Sequence, residues 1–239
     1  MMPEVADLAR LRVEYADREQ RLAGSDLYSP FNPANLYIIQ QRQRAVLRLL
    51  HGHGFNPLSE HAILEVGCGR GGVLLEFLNY GATPSRLHGT DLLLDRIRDA
   101  HARLPHFPLT NADGQCLPYQ TGTFSLVLQY TAFSSILDNE IKANIASEML
   151  RVLRKPHGMI LWYDFWLNPT NPQTRGIQPA EIKQIFPGCR FEFQRITLAP
   201  PITRKLIHIS WLSCYILELL KIFNTHYLVA ITPQEDPKH

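Results

Sequence analysis

The sequence predicts an α/β fold, a doubly wound and mostly parallel sheet with helices on both faces. Three observations carry this. From Ala62 onward, short apolar runs alternate with segments of helical period. The stretch "ILEVGCGRGGVLLEFL", Ile63–Leu78, joins an apolar run to a second one at helical spacing through a cluster of glycines, as a nucleotide-binding turn does. At 239 residues and 45% hydrophobic, the chain suits one such domain with decoration.

The elements follow in order. A charged helix is expected near Pro3–Leu22, then the loop "GSDLYSPFNPAN", then a helix near Leu36–His51. On that second helix Leu36, Ile39, Val46 and Leu50 share a face, and Gln43 lies on the same side, where it needs a polar partner, a backbone group before a ligand. A strand at Ala62–Val66 leads into a helix at Gly72–Tyr80. "RLHGTDL" is the second strand, followed by a helix at Leu94–Leu104; the third strand lies near Pro108–Ala112, and the fourth is "FSLVLQY", Phe124–Tyr130. "NEIKANIASEMLRVL" is a helix with Asp138 as its N-cap, and "GMILWYDF" is the fifth strand. A short helix near Pro179–Phe186, a strand at Phe191–Leu198, a long apolar helix near Thr203–Phe223 and the strand "THYLVAIT" complete the series. On the long helix Arg204, His208, Tyr215 and Glu218 form a narrow polar stripe.

Composition narrows the function. The net charge is +2 with scattered Lys and Arg, which argues against nucleic acid as partner. Cys68, Cys116, Cys189 and Cys214 form no C-x-x-C pair and have no His at ligand spacing, so no metal is expected and reduced thiols of a cytoplasmic protein are. The opening residues lack the apolar core of a secretion signal, and no run of about 18 apolar residues predicts a membrane span.

The glycines fit two templates. Gly67, Gly69 and Gly72 satisfy G-x-G-x-x-G of dinucleotide sites, whereas Gly67, Gly69 and Gly71 satisfy G-x-G-x-G of S-adenosylmethionine (SAM) sites. Glu65 would repel a pyrophosphate at this turn and suits a cofactor with a positive end. Asp91 lies 24 residues after Gly67, where a ribose-binding acid serves either cofactor. Asp113, past the third strand, can accept from an adenine amine while Gly114 lets the backbone approach the ring.

With these residues assembled, the chain resembles class I SAM-dependent methyltransferases of the small-molecule type, over Ile63–Asp164 and more loosely beyond. "ILEVGCGRG", "GTDLL", "NADGQCLPYQTGTFSLVLQY" and "MLRVLRKPHGMILWYDF" resemble successive motifs, with Ser125 in place of a common Asp and His157 in place of the first glycine of the L-x-P-G-G turn. The resemblance implies a seven-stranded sheet of order 3-2-1-4-5-7-6 with the last strand antiparallel. It divides one domain, 1–239, into a helical cover (1–60), a cofactor core (61–200), a helical insertion (201–225) and a last strand with tail (226–239). It implies SAM as cofactor and S-adenosyl-L-homocysteine (SAH) as product. Glu65, Gly67, Cys68, Gly69 and Gly71 would surround its methionine part, Asp91 its ribose, and Leu92, Ala112 and Asp113 its adenine, with the Gln129 carbonyl on its ammonium.

Each residue also has a plain structural reading. Glu65 can face a helix dipole, Asp91 can cap a helix, and Asp113 can shape a turn. His157 precedes the fifth strand, at the edge away from ligands, and reads as a turn residue. Tyr130, Asp164 and the loop "FWLNPTNPQTRG" follow strand ends and are candidates for the acceptor site, although the tyrosines also suit a core and Asn168, Asn171 and Arg175 suit turns. Tyr28, Phe31, Tyr37, Asn32 and Asn35 compose a lid, with Asn35 as helix cap in the plainer reading. Trp211 and Tyr215 would roof the acceptor site, with His226 beside them as candidate base or, in the plainer reading, a satisfied core histidine. Catalytic candidates are therefore His226, Asp164 and Tyr130.

The expected reaction moves the SAM methyl group to a small or medium-sized acceptor. An oxygen of a metabolite, sugar or polyketide-like compound is preferred, because "QYTAFSS" replaces the N-P-P-Y of amide-directed enzymes. Secondary metabolism is the associated setting. A non-catalytic SAM-binding regulatory module and, less favoured, an NAD-dependent oxidoreductase stay open. So do a homodimer, a lipid-like acceptor and peripheral membrane contact, since the 201–225 segment needs cover beyond one sheet face.

Overall fold

The structure is a computed structural model and describes residues 10, 12–17, 20–21, 24–168 and 173–234. Seven strands form one sheet: β1 (Ile63–Val66), β2 (Leu87–Asp91), β3 (Leu109–Asn111), β4 (Leu126–Tyr130), β5 (Met159–Phe165), β6 (Cys189–Leu198) and β7 (Asn224–Pro233). Their order is β3-β2-β1-β4-β5-β7-β6, with β7 antiparallel to both neighbours and the other pairings parallel, as the resemblance implies. Central β1 and β4 are buried along their whole length, so they carry continuous apolar runs rather than alternation.

Successive residues still point to opposite faces. Ile63, Leu126 and Leu161 pack with Leu49 and Leu50 of α1 (Pro33–Gly52), Phe77 of α2 (Gly72–Asn79) and Ala100 of α3 (Leu94–Arg103). Leu64, Val127 and Trp162 pack with Met149 of α4 (Asn139–Val152) and Ile182 of α5 (Pro179–Ile185). Across that second layer the buried Lys142 of α4 pairs with Glu181 of α5 at 2.6 Å.

Local expectations meet the structure with some corrections. Asp138 caps α4 as expected, accepting from the Glu140 and Ile141 amides. Asn32, not Asn35, caps α1, because Pro33 then occupies the first helical position. The buried polar residue of α1 is Gln41, whose Oε1 accepts from the Leu198 amide at 2.9 Å; Gln43 reaches the Tyr80 side chain instead. Of the opening helix, the described residues 10, 12–17 and 20–21 are helical, and the rest of that expectation lies outside the described residues.

The long apolar helix is two helices, α6 (Pro200–Leu206) and α7 (Trp211–Leu220), because Ser210 adopts an extended conformation and caps α7 through the Ser213 amide. Its orientation also differs from expectation. Glu218 turns inward to the Tyr37 hydroxyl at 2.6 Å and Arg44 at 3.3 Å, while leucines and isoleucines face outward.

Candidate functional site

A cavity of about 670 Å³ opens where the parallel strands end. Its wall is built from the residues that follow β1 (Val66–Cys68), β2 (Asp91–Leu93), β3 (Ala112–Gln115) and β4 (Tyr130–Phe133), the edge at which open α/β sheets bind ligands. Tyr15 and Tyr28 from the N-terminal segment and Arg42 from α1 close it from above.

The glycine turn is tight for a packing reason. Gly67 has φ +77°, and a Cβ there would lie 2.8 Å from that of Ala132, so only glycine lets the β1 and β4 loops approach. Gly71, at φ +75°, is the N-cap of α2, and a Cβ on it would strike Leu104 at 2.6 Å. The Gly69 amide donates to Asp91 Oδ2 at 2.8 Å and the Leu93 amide to Oδ1 at 2.9 Å, so the turn and the next loop hold the carboxylate at the wall. Asp113 accepts from the Gln115 amide at 2.8 Å, and the neighbouring Gly114 rests on Ile145.

Glu65 is 2% exposed, lines the cavity, and its Oε2 has no hydrogen-bond partner. Burial, reinforced by Glu76 and Asp91, pushes its carboxyl well above the usual range, against the pull of Arg42. Such an acceptor suits a donor, and best a cation, arriving in the cavity. Arg42 is ion-paired with Glu76 and lies over the rings of Tyr130 and Tyr163 at 5.6 and 5.5 Å. Burial pushes both phenols up, so they stay protonated. Arg96 stacks on Tyr15 at 3.7 Å. Thr131 holds φ +54°, unusual for a β-branched residue, and its amide donates to the Tyr163 carbonyl at 2.8 Å.

Of the residues singled out from sequence, Glu65, Gly67, Cys68, Asp91, Leu92, Ala112, Asp113 and Tyr130 line the cavity. Gly69 and Gly71 shape the turn without lining it. Gln129 does not line it either; its Nε2 donates to Asp164 Oδ2 at 2.8 Å.

Asp164 is corrected from a candidate contact to a buried support. It is 1% exposed and accepts from Gln129, from the Ser134 amide at 3.1 Å and from the Phe165 amide, which fixes the turn Phe133–Ser135 at the wall. His226 is likewise not at the cavity. It stacks on Tyr163 at 4.9 Å, bonds Thr225 at 3.0 Å, and burial with the Arg42 charge pushes it down to about 3. Trp211 packs edge-on against Tyr37, and neither it nor Tyr215 roofs the cavity. Of the expected lid only Tyr28 lines it, while Phe31 is 93% exposed. Asn168 bonds Thr174 and Arg175 pairs with Glu181, while Asn171 lies outside the described residues. His157 sits in an exposed turn as expected. Arg42, Arg96, Tyr15 and Thr131 were not singled out; Arg42 sits in the polar run Gln40–Arg44 of α1, where nothing in the sequence sets it apart.

The His226 placement makes a prediction. Its folded pKa lies below the ordinary value, so the unfolded chain takes up the proton first and stability falls as pH drops below about 6.5. Asp164 works oppositely, because its carboxyl is pushed up to about 6 and its ionisation costs stability as pH rises through 4–6. The two slopes oppose each other, so a variant isolates one. His226→Gln should keep its turnover at neutral pH, and its stability relative to the parent should improve by about 1–2 kcal/mol between pH 7 and pH 5. Urea unfolding at the two pH values, beside an activity assay, measures both; a collapse of turnover at pH 7 would return His226 to catalysis.

The sheet order and the wall at its C-terminal edge define a nucleotide-cofactor fold of the class I methyltransferase type. Residues 63–158 match the family model described as a methyltransferase domain. Over that segment the chain is similar to a methyltransferase domain, in keeping with the SAM cofactor and SAH product that the sequence resemblance implies. A search of curated proteins found no match. Solved structures share the fold. A Burkholderia thailandensis 1,6-didemethyltoxoflavin-N1-methyltransferase, crystallised with 1,6-didemethyltoxoflavin and SAH, is 17% identical, with TM-score 0.63 over 99% of this chain and 92% of that one. A possible histamine N-methyltransferase from Thermotoga maritima is 15% identical, with TM-score 0.61 over 90% and 98%. The geranyl diphosphate C-methyltransferase of Streptomyces coelicolor is 15% identical, with TM-score 0.56 over 79% and 76%.

Proposed function

We propose that the chain methylates a small or medium-sized metabolite, on an oxygen that reaches the site as an anion or readily becomes one. The observation that carries the cofactor half is the unpartnered Oε2 of Glu65 at a wall that also holds a tethered Asp91. Bound SAM supplies an electrophilic methyl group on a positive sulfur. Asp91 would accept the ribose hydroxyls, Leu92, Ala112 and Asp113 would receive the adenine, and Glu65 would face the positive end. Gly67 and Cys68 let the backbone pass close to the methionine part.

Tyr130, Tyr163 and Arg42 form the wall left for the acceptor. No histidine lines the cavity among the described residues, and the two phenols are held protonated, so they donate hydrogen bonds rather than take protons. The rate then rests on alignment, which can supply roughly 7–11 kcal/mol. A phenol, enol or carboxylic acid suits such a site, with Arg42 as the cation on that wall. The compounds in the names of the three neighbours are all small molecules, which supports a small acceptor.

The test is transfer of labelled methyl from SAM to a panel of phenols, enols, carboxylic acids and amines, with products located by mass spectrometry. Label on oxygen is expected; label confined to nitrogen or carbon contradicts the acceptor reading. Arg42→Gln should raise the KM of an anionic acceptor by about 10–100-fold, the worth of one charged hydrogen bond. An unchanged KM would remove Arg42 from acceptor binding.

A further inference from the structure

We propose that α7 and the segment flanking it dock the protein on the surface of a bilayer containing anionic phospholipid. Leu212, Ile216 and Leu219 fall on one stripe of α7 and are solvent-exposed, and so are Ile209 just before the helix and Phe223 just after it, Ile209 at 80% and Leu212 at 67%. The opposite face of α7 is already satisfied: Cys214 is buried with Leu198 and Ile207, and Glu218 is held by Tyr37 and Arg44. The apolar stripe is thus surplus to the fold, and a patch of this kind marks an interaction site.

Charge identifies the occupant. Between Pro200 and Phe223 the exposed ionisable groups are Arg204, Lys205, His208 and Lys221, and the one acid, Glu218, points inward. Trp211 and Tyr215, each nearly half exposed, border the stripe as amphipathic aromatics do at a headgroup layer. An apolar stripe flanked by cations and half-exposed aromatics, with no exposed acid, complements an anionic lipid surface. A second copy is a poorer fit, because a two-fold contact would set the patch and its cations against themselves. No helix among the described residues is long and apolar enough to cross a membrane, so the contact is peripheral. The docked helix touches α1 through Tyr37 and Arg44, and Arg42 of the same helix lines the cavity.

The test is co-sedimentation of the full chain with vesicles of pure phosphatidylcholine or of phosphatidylcholine with about one-third phosphatidylglycerol, with sedimentation velocity run alongside. Binding to the anionic vesicles that weakens with salt is expected. The Leu212→Ser/Ile216→Ser/Leu219→Ser variant should lose at least about tenfold in partitioning, and so should Arg204→Glu/Lys205→Glu, with melting temperatures near the parent's. Unaltered partitioning in the triple variant, or no binding to either vesicle, overturns the proposal. A parent dimer that becomes monomeric in the triple variant overturns it too, by giving the face to a second copy.

Discussion

Asp91→Ala should lower the affinity for SAH by at least about 100-fold. A carboxylate accepting two ribose hydroxyls contributes about 1.5–3 kcal/mol for each charged hydrogen bond, and each 1.4 kcal/mol is tenfold. Asp91 is preset for this task, since the Gly69 and Leu93 amides each hold one of its oxygens and leave further lone pairs free. Calorimetric titration with SAH measures the loss. Asp91→Asn separates charge from shape, because its amide oxygen can still accept one of the two backbone bonds; it should fall between parent and alanine variant. Parent-like affinity in Asp91→Ala would remove this residue from the ribose.

Gly67→Ala should cost about 2–5 kcal/mol of stability and abolish measurable SAH binding. An L-residue in the left-handed region costs roughly 1–2 kcal/mol, and forcing a methyl into a packed contact typically adds 1–3. The contact is specific: the new Cβ would lie 2.8 Å from Ala132, on the loop after β4. Relief requires the β1 and β4 loops to part, and both line the cavity. Gly122→Ala is the control, with φ +71° but nothing within 4 Å, so it should show the backbone strain alone and unaltered SAH binding. Thermal melts and calorimetry on the pair separate strain from clash. Equal behaviour of the two variants would contradict a close approach at Gly67.

Much of this site was legible in the sequence because its residues follow strand ends. Glu65, Asp91 and Asp113 sit at fixed offsets from apolar runs, and sheet topology alone brings such positions to one edge. The residues that were misplaced depend on side-chain direction, which spacing does not give. Asp164 follows Tyr163 on β5, yet alternation along the strand turns its carboxylate into the interior, where three donors claim it. His226 does lie next to Tyr163, but on β7 opposite Phe165, stacked on the ring and away from the cavity lining. Arg42 escaped notice because its partners, Glu76 and the two tyrosines, come from three distant segments. The α6–α7 insertion was misread for a different reason. A single helix through Ser210 would have aligned Glu218 with Arg204, whereas the break at Ser210 lets Glu218 turn to Tyr37 and leaves the apolar stripe outside.

The most direct test of the account is a calorimetric titration of the unmodified chain with SAH, repeated with NADH. One SAH should bind per chain, competed by SAM, with no heat from NADH. Glu65→Gln should also weaken SAH binding, because an amide cannot ionise against the positive end of the cofactor. Binding of NADH in place of SAH, or SAH affinity indifferent to both Glu65 and Asp91, would contradict it.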